Sequence, residues 1–319
     1  MRKAALLYNP LSGGLQNRRE AVIAAVVRTL RDAGVDVATS QTRSASDAAE
    51  QARQFVISGC ETLIACGGDG TVHDVLQGIV GTPAALGVIP MGTANALAHD
   101  LGLPLRPVAA ARALLDAEPR RIALGRIQFN SLSGQPDSRY FTVAAGIGVD
   151  AHLFYKLSGT AKQRLGMAAY YAKATALWLT HKMANFEAEF VEPAGRETSK
   201  AVVSELLAVR ITQFGGVLRE LAPGAALARS DVRLVLFKTN SRLLYLGYIL
   251  RGLLGTQSNV PRIELRSSDS IVCRYISTAQ NDENKIYVEA DGELLGTLPA
   301  EISIVPDALT LLVPRKKMG

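Results

Sequence analysis

The chain has 319 residues, of which 48% are hydrophobic and 20% are charged, and its formal net charge is +6. This length predicts one or two domains, and the composition supplies enough apolar side chains for a sizeable core. The basic residues are scattered rather than clustered. We therefore expect anionic partners such as nucleotides or a membrane surface, and no nucleic-acid partner.

Cysteine and apolar-run patterns predict a cytoplasmic protein. The three cysteines form no spaced framework, which fits a reducing compartment, and the four histidines match no zinc-ligand spacing. The apolar run before Asn9-Pro10 is only five residues long, too short for a signal peptide. No run reaches the roughly 18 apolar residues that a membrane span needs.

Strand and helix patterns alternate up to about residue 118, which predicts a parallel α/β sheet. The expected strands cover 4–8, 35–39, 62–66 and 84–89, and the expected helices cover 17–33, 46–58, 72–80, 97–101 and 108–115. Ligands of such sheets bind at the carboxyl ends of the strands. Three glycine-bearing loops, 9–14, 67–71 and 90–95, follow the first, third and fourth strands.

After Pro119 the pattern predicts a mostly antiparallel β domain. The expected strands cover 121–130, 140–145, 186–191, 202–212, 232–238, 262–265, 270–275 and 285–289, with helices at about 162–182 and 241–254. A last stretch, 302–313, is typical of a strand broken at Pro306. We expect domains at 1–120 and 121–301, with 302–319 able to pack on the first.

The sequence Gly67-Gly68-Asp69-Gly70-Thr71 predicts a phosphate site. Its glycines allow positive φ and close approach of a ligand. Thr71 is expected to be the N-cap of the next helix, whose first amides would attract phosphate. Asp69 would repel phosphate unless a divalent cation lies between them. The alternative is a tight turn with Asp69 as an ordinary surface residue.

Other nucleotide and nucleophile signatures are missing. No Gly-Lys-Ser/Thr loop, no Gly-x-Gly-x-x-Gly after the first strand and no Gly-x-Ser-x-Gly occur. Ser12 is a candidate for a hydrogen bond to phosphate, or it stabilises its own turn. Considered alone, Asp291-Gly292 is typical of an ordinary hairpin turn between two strands.

Four ordered motifs carry a resemblance to a known family. They are 9–13 (NPLSG), 67–71 (GGDGT), 90–98 (PMGTANALA) and 291–293 (DGE). Together they resemble the diacylglycerol-kinase catalytic family, which includes bacterial lipid kinases, sphingosine kinases and ceramide kinases and is distantly related to NAD kinases. A further segment, 141–151, resembles the segment between that family's two domains. The resemblance covers residues 4 to about 313.

The resemblance implies an NAD-kinase-like or diacylglycerol-kinase-like fold with ATP in a cleft between two domains. It implies transfer of the ATP γ-phosphate to a lipid hydroxyl, with diacylglycerol as the default acceptor and a sphingoid base or ceramide as the second. Asp69 would act with Mg²⁺, and Glu293 would accept the proton of the lipid hydroxyl. The residues implied to hold ATP are Asn9, Ser12, Thr42, Gly67, Gly68, Asp69, Gly70, Thr71, Thr93 and Asn95.

Three departures from the family pattern affect these expectations. Ala96 replaces an Asp that is common in bacterial diacylglycerol kinases, and Asp74 replaces a Glu. The segment 223–230 has Ala228 and Arg229 where bacterial members have two acids that help to bind a structural Mg²⁺. We therefore expect that second metal site to be missing, with Arg229 either supplying a positive charge there or, as favoured, lying in solvent.

Two apolar helices bear on lipid access. The segment 241–254 is apolar nearly all round with arginines at its ends, so it is interpreted first as buried core and second as an interfacial helix on an anionic membrane. The segment 162–182 allows the same two interpretations. The resulting hypothesis is a lipid kinase at the inner face of the membrane, with its oligomeric state, a homodimer included, left open. Its rivals are a soluble-metabolite kinase such as an NAD kinase, and a non-catalytic lipid- or nucleotide-binding protein.

Overall fold

The computed structural model describes residues 1–10, 16–148, 183–193, 198–215, 220–254, 260–276 and 285–315. Two compact units make up the chain. The first comprises Met1–Leu124, Gln213–Val217 and Val305–Gly319, and the second comprises Gly125–Thr212 and Leu218–Ile304. Ser12 and the predicted helix at 162–182 lie outside the described residues.

The first unit contains the alternating strands and helices that the sequence predicts. Its elements are β1 (Lys3–Tyr8), α1 (Gln16–Asp32), β2 (Asp36–Gln41), α2 (Ala45–Ile57), β3 (Thr62–Gly67), α3 (Asp69–Gln77), β4 (Ala85–Pro90), α4 (Ala96–Asp100) and α5 (Pro107–Leu115). All six residues of β3 and of β4 are buried. Such continuous apolar runs are typical of strands covered on both faces.

The strands of this unit form the predicted parallel sheet in the order β4, β3, β1, β2. The last residues of β15 (Glu293–Val313) extend it, because Thr310 and Leu311 pair in parallel with Ala85 and Leu86 of β4. α1 and α5 pack together, as do α2 and α3. The parallel α/β class is therefore confirmed.

The second unit is built from antiparallel strands. Besides part of β5 (Glu118–Ser131) and of β15, it contains β6 (Pro136–Phe141), β7 (Ala144–Gly148), β8 (Phe186–Val191), β9 (Thr198–Val203), β10 (Glu205–Val209), β11 (Val232–Phe237), α6 (Arg242–Leu254), β12 (Ile263–Ser268), β13 (Ser270–Tyr275) and β14 (Tyr287–Ala290). One run of strands has the order β12, β11, β10, β7, β14, β15. The predicted antiparallel β class is confirmed.

Alternation along β8 shows how this unit forms its core. Phe186, Ala188 and Phe190 are buried, whereas Glu187 and Glu189 lie on the other face and pair with Lys200. A period of two is what a half-buried strand requires. The inward side chains join one apolar cluster, in which a fully buried Phe contributes about 1.5–3 kcal/mol.

Three strand predictions are wrong in detail. The predicted strand 140–145 is split into β6 and β7, because the backbone amides of Thr142 and Val143 donate to the carboxylate of Asp291 instead of to a strand. The predicted strand 202–212 is split at Ser204, since β9 pairs with β8 whereas β10 pairs with β7 and β11. Pro306 does not break β15, where it lies between the residues paired with β13 and those paired with β4.

Candidate active site

The carboxyl ends of β1, β3 and β4 lie side by side in the first unit. The chain runs from β1 to β2 on one side of β1, and β3 then pairs on the other side. This reversal is a topological switch point, where open α/β sheets bind their ligands. The glycine-bearing loops 67–71 and 90–95 leave the sheet there, as the sequence predicts.

The first of these loops turns directly into a helix. β3 ends at Gly67, Gly68 is the N-cap of α3 without a side-chain hydrogen bond, and α3 begins at Asp69. The prediction that Thr71 is the N-cap is therefore wrong. The helix begins inside the motif, and Thr71 is a buried residue of its first turn, beside Gly67.

The second loop is closed by the side chain of Asn95. Its Oδ1 accepts from the Gly92 amide at 2.8 Å, and its Nδ2 donates to the Gly92 carbonyl at 2.9 Å. Asn95 itself has a φ of 51°, in the left-handed region that Asn tolerates better than most residues. It is also the N-cap of the short helix α4. Asn95 therefore fixes the shape of this turn.

Asp69 joins the two loops. Its Oδ2 accepts from the Asn95 amide at 2.8 Å and its Oδ1 accepts from the Ala96 amide at 2.7 Å. The Met91 amide donates to the Gly67 carbonyl at 2.8 Å, which is a second connection. Asp69 is half-buried, so the interpretation of an ordinary surface acid is wrong.

Backbone lies against backbone where the loops meet. A Cβ built on Gly92 would come 2.5 Å from Gly68 Cα, and one built on Gly68 would come 3.2 Å from Gly92 Cα. A side chain at Gly92 would clash with the backbone of Gly68, and one at Gly68 would need the backbone of Gly92 to give way slightly. Glycine loops at a helix start, next to strand ends, fit a phosphate group, because amides and the helix dipole attract anions.

The other predicted ATP residues of the first unit are distributed around this edge. Thr42 is buried, and both its amide and its Oγ1 donate to the Tyr8 carbonyl, at 2.9 and 3.4 Å. This places Thr42 at the end of β1, next to half-buried Asn9. Thr93 is exposed in the second loop.

Asp69 fits a magnesium ion only as a single carboxylate. Its two oxygens accept amide hydrogens from Asn95 and Ala96, and a carboxylate oxygen can accept from more than one partner. No group of three or more His, Cys, Asp or Glu side chains that could hold a metal occurs within the described residues. A single carboxylate is compatible with Mg²⁺, which proteins commonly hold through one or two carboxylates together with substrate phosphates and water.

Asp291 and Gly292 form the turn of a hairpin in the second unit. They have φ values of 50° and 84° and connect the antiparallel strands β14 and β15. Two successive positive φ values are those of a type I′ turn, so the hairpin prediction is correct. Glu293, the first residue of β15, is exposed.

Buried carboxylates hold this turn in place. Asp291 accepts from the amides of Thr142, Val143 and Ala144, at 3.0, 2.8 and 3.2 Å. Glu289 Oε2 accepts from the Gly292 amide at 2.9 Å. The position of Glu293 in its unit is thus set by two neighbouring acids. Sequence reasoning named Asp291 but missed its anchoring role, because its partners are about 150 residues away.

Arg210 is a second residue that the sequence did not reveal. Its buried guanidinium donates to the carbonyls of Leu227 and Asp231, at 3.1 and 2.7 Å, and to that of Arg229 at 3.0 Å. Burial lowers the pKa of Arg210 to about 10, so it stays protonated at neutral pH. Arg229 is exposed, as the favoured interpretation of a solvated arginine predicts, and it pairs with Asp231.

Two family models match the chain. One, "Diacylglycerol kinase catalytic domain", matches residues 3–127, and the other, "YegS C-terminal NAD kinase beta sandwich-like domain", matches residues 142–313. The chain belongs to the diacylglycerol kinase family. It is a kinase of this lipid-kinase family, and the prediction of an enzyme is confirmed.

Individual members of the diacylglycerol kinase family match this chain over nearly its whole length. The diacylglycerol kinase of Bacillus subtilis (strain 168) is 27% identical, over 99% of this chain and 98% of its own. The diacylglycerol kinase of Mycobacterium tuberculosis (strain H37Rv) is 30% identical, over 98% and 96%.

Solved structures agree with the fold. A crystal structure of a Bacillus anthracis str. Sterne protein has a TM-score of 0.75 at 20% identity and covers 98% of both chains. Yeast NADH kinase has a TM-score of 0.51 at 11% identity, over 99% of this chain and 84% of its own. Among the residues that the structure describes, no helix is both long and apolar enough to cross a membrane.

Proposed function

We propose that this kinase transfers the γ-phosphate of ATP to the hydroxyl of diacylglycerol at the inner face of a membrane. The observation that carries the proposal is the contact between the backbones of Gly68 and Gly92 at the start of α3. Asp69 connects the two loops that make this contact. It supports a nucleotide phosphate at the switch point of the first unit. The relatives named diacylglycerol kinase support the acceptor.

The proposed ATP residues are the ten implied by the family motifs. They are Asn9, Ser12, Thr42, Gly67, Gly68, Asp69, Gly70, Thr71, Thr93 and Asn95. Asp69 is proposed to act with Mg²⁺, which when bound would neutralise charge on the phosphates. The side chain of Asp69 would then have two tasks, one at the metal and one at the amides of α4.

Glu293 is proposed to accept the proton of the lipid hydroxyl. An aliphatic alcohol is barely acidic, so its proton leaves late, as the new P–O bond forms, and a carboxylate within reach is sufficient. Exposure of Glu293 at a fixed hairpin supports this role, because the side chain can meet an acceptor while its backbone is held by Asp291.

A sphingoid base or ceramide is a second candidate acceptor. The observation in its favour is Ala96, which is buried and whose amide donates to Asp69, where bacterial diacylglycerol kinases commonly carry an acid. Transfer of the radiolabelled γ-phosphate of ATP to each member of a panel of lipid alcohols distinguishes diacylglycerol from a sphingoid base or ceramide as the acceptor. Transfer to NAD without transfer to any lipid would overturn the proposal in favour of a soluble-metabolite kinase.

The variant Glu293→Gln tests the acid itself. We expect ATP binding to be retained and lipid turnover to fall by about 10²–10⁴-fold, the usual contribution of a positioned base. Calorimetric titration with ATP and initial rates on diacylglycerol measure the two quantities. The control is Glu301→Gln, an exposed acid of the same strand. Wild-type turnover in Glu293→Gln would remove Glu293 from the mechanism.

A further inference from the structure

Helix α6 has one face anchored in the second unit. Tyr245 and Tyr248 are buried and pack against Phe237, with ring centroids 4.3 and 5.4 Å away. The Tyr245 hydroxyl is 2.7 Å from Ser204 Oγ, and the Tyr248 hydroxyl donates to the Leu221 carbonyl at 2.7 Å. These contacts fix which way the helix faces.

The opposite face of α6 exposes four large aliphatic side chains, which we call the aliphatic strip. They are Leu243, Leu246, Ile249 and Leu250, with exposed fractions of 80%, 43%, 42% and 50%. Their spacing of three, four and seven residues places them on one side of a helix. The interpretation of 241–254 as buried core is therefore wrong for this side.

The charged residues of α6 are all basic. At 100° per residue, Arg242 lies between Ile249 and Leu246, whereas Arg251 lies about 80° beyond Leu243. No acidic residue occurs in Arg242–Leu254. An exposed aliphatic strip that carries a cation and no acid is typical of a helix that lies in a membrane interface.

Charge distinguishes a membrane from a second copy of the chain. A two-fold contact would place this face, which carries Arg242 and no acid, against an identical face with no acid to pair with that arginine. An anionic bilayer instead offers hydrocarbon to the leucines and negative headgroups to Arg242. The complementary surface is therefore a lipid one.

We propose that the aliphatic strip docks this kinase on anionic bilayers, with Leu243 and Leu246 entering the acyl boundary and Arg242 at headgroup level. The biological role of this docking rests on the proposed function, because docking would bring the enzyme to a lipid acceptor. The docking itself does not depend on phosphate transfer, since binding to a bilayer needs neither ATP nor turnover.

The experiment is flotation with vesicles of pure phosphatidylglycerol and of pure phosphatidylcholine, without ATP. We expect the wild-type chain to float with phosphatidylglycerol, less so with phosphatidylcholine, and less so at high salt. Leu243→Ser/Leu246→Ser should weaken binding by at least about tenfold, since each leucine loses apolar burial. Both side chains are exposed, so the unfolding midpoint should not change.

The matched control is Ile57→Ser/Leu132→Ser, which removes two aliphatic side chains, 71% and 56% exposed, away from α6. Equal flotation of the strip variant and the wild type would overturn the proposal, as would a dimer in sedimentation that the strip variant dissociates. Activity on a water-soluble short-chain diacylglycerol should be the same in all three proteins. If the wild-type chain floats with vesicles but phosphorylates no lipid, the proposed function alone would be refuted.

Discussion

Asp69 is the residue on which the first unit's candidate site depends. Both of its carboxylate oxygens accept backbone amides, one from Asn95 and one from Ala96, at the start of α4. A negative charge at a helix start is favourable, and charge-assisted hydrogen bonds are stronger than neutral ones. Asp69 therefore supports the loop geometry whether or not a metal is bound.

Asp69→Asn should lower both stability and ATP binding. The new amide NH₂ would face one of two backbone donors, which costs about 1–3 kcal/mol for the unsatisfied group. We expect a lower unfolding midpoint in scanning calorimetry and loss of Mg-ATP binding in titration. Asp32→Asn, at an exposed helix end, is the control. Unchanged ATP affinity and turnover in Asp69→Asn would refute its proposed role.

Gly92→Ala tests the backbone contact between the loops. The new methyl group would lie 2.5 Å from Gly68 Cα and 3.0 Å from Asn95 Oδ1, so the loops must separate. We expect a stability loss of about 1–3 kcal/mol and weaker ATP binding. Gly247→Ala, with no atom within 4 Å of the new Cβ, should leave ATP affinity unchanged. Wild-type ATP affinity in Gly92→Ala would mean that phosphate does not use this contact.

At the scale of elements, the β14–β15 hairpin is fixed at its turn by Asp291. The carboxylate satisfies three consecutive amides, those of Thr142, Val143 and Ala144, which interrupt the strand pattern between β6 and β7. A gap in one element is thus filled by the turn of another. The local preference of Asp-Gly for a type I′ turn and this distant contact act in the same direction.

Asp291→Ala should loosen this hairpin. It leaves buried amide donors without their acceptor, at a cost of about 1–3 kcal/mol or more. We expect faster hydrogen exchange at residues 142–144, a lower unfolding midpoint and reduced turnover with ATP affinity retained. Asp137→Ala, which removes an exposed acid paired with Arg139, controls for loss of charge. Unchanged exchange at 142–144 would contradict the anchoring role.

At the scale of the whole molecule, stability should not depend on a structural metal. Arg210 places a fixed positive charge among the carbonyls of Leu227, Arg229 and Asp231. This segment has Ala228 and Arg229 where the family resemblance predicts two acids. A guanidinium offers five donors in a rigid fork and so satisfies several carbonyls at once. The second unit therefore has an internal cation of its own.

Arg210→Met should destabilise the protein by about 3 kcal/mol or more, because several buried carbonyls lose their donor. Arg210→Lys should recover part of this loss, since it restores charge but not the fork. Chemical unfolding with and without EDTA, in the absence of ATP, measures both points. A wild-type unfolding free energy that falls on addition of EDTA would show that a metal, rather than Arg210, stabilises the protein.

The sequence by itself determined the strands of the first unit, the position of its glycine loops, the antiparallel class of the second unit and the Asp291-Gly292 turn. These follow from local chemistry: β3 and β4 are continuous apolar runs, and glycine and aspartate favour particular backbone angles wherever they occur. Family motifs added the kinase assignment, which the full-length relatives confirm.

Only the tertiary structure decided which partners these groups take. The amides that donate to Asp69 lie 26 and 27 residues along the chain from it. Those that donate to Asp291 lie 147 to 149 residues from it. Hydrogen-bond partners at such separations leave no periodic trace, because any amide is a possible donor. The same reason applies to α6, whose apolar sequence is compatible with burial or exposure until Tyr245 and Tyr248 select the face that packs.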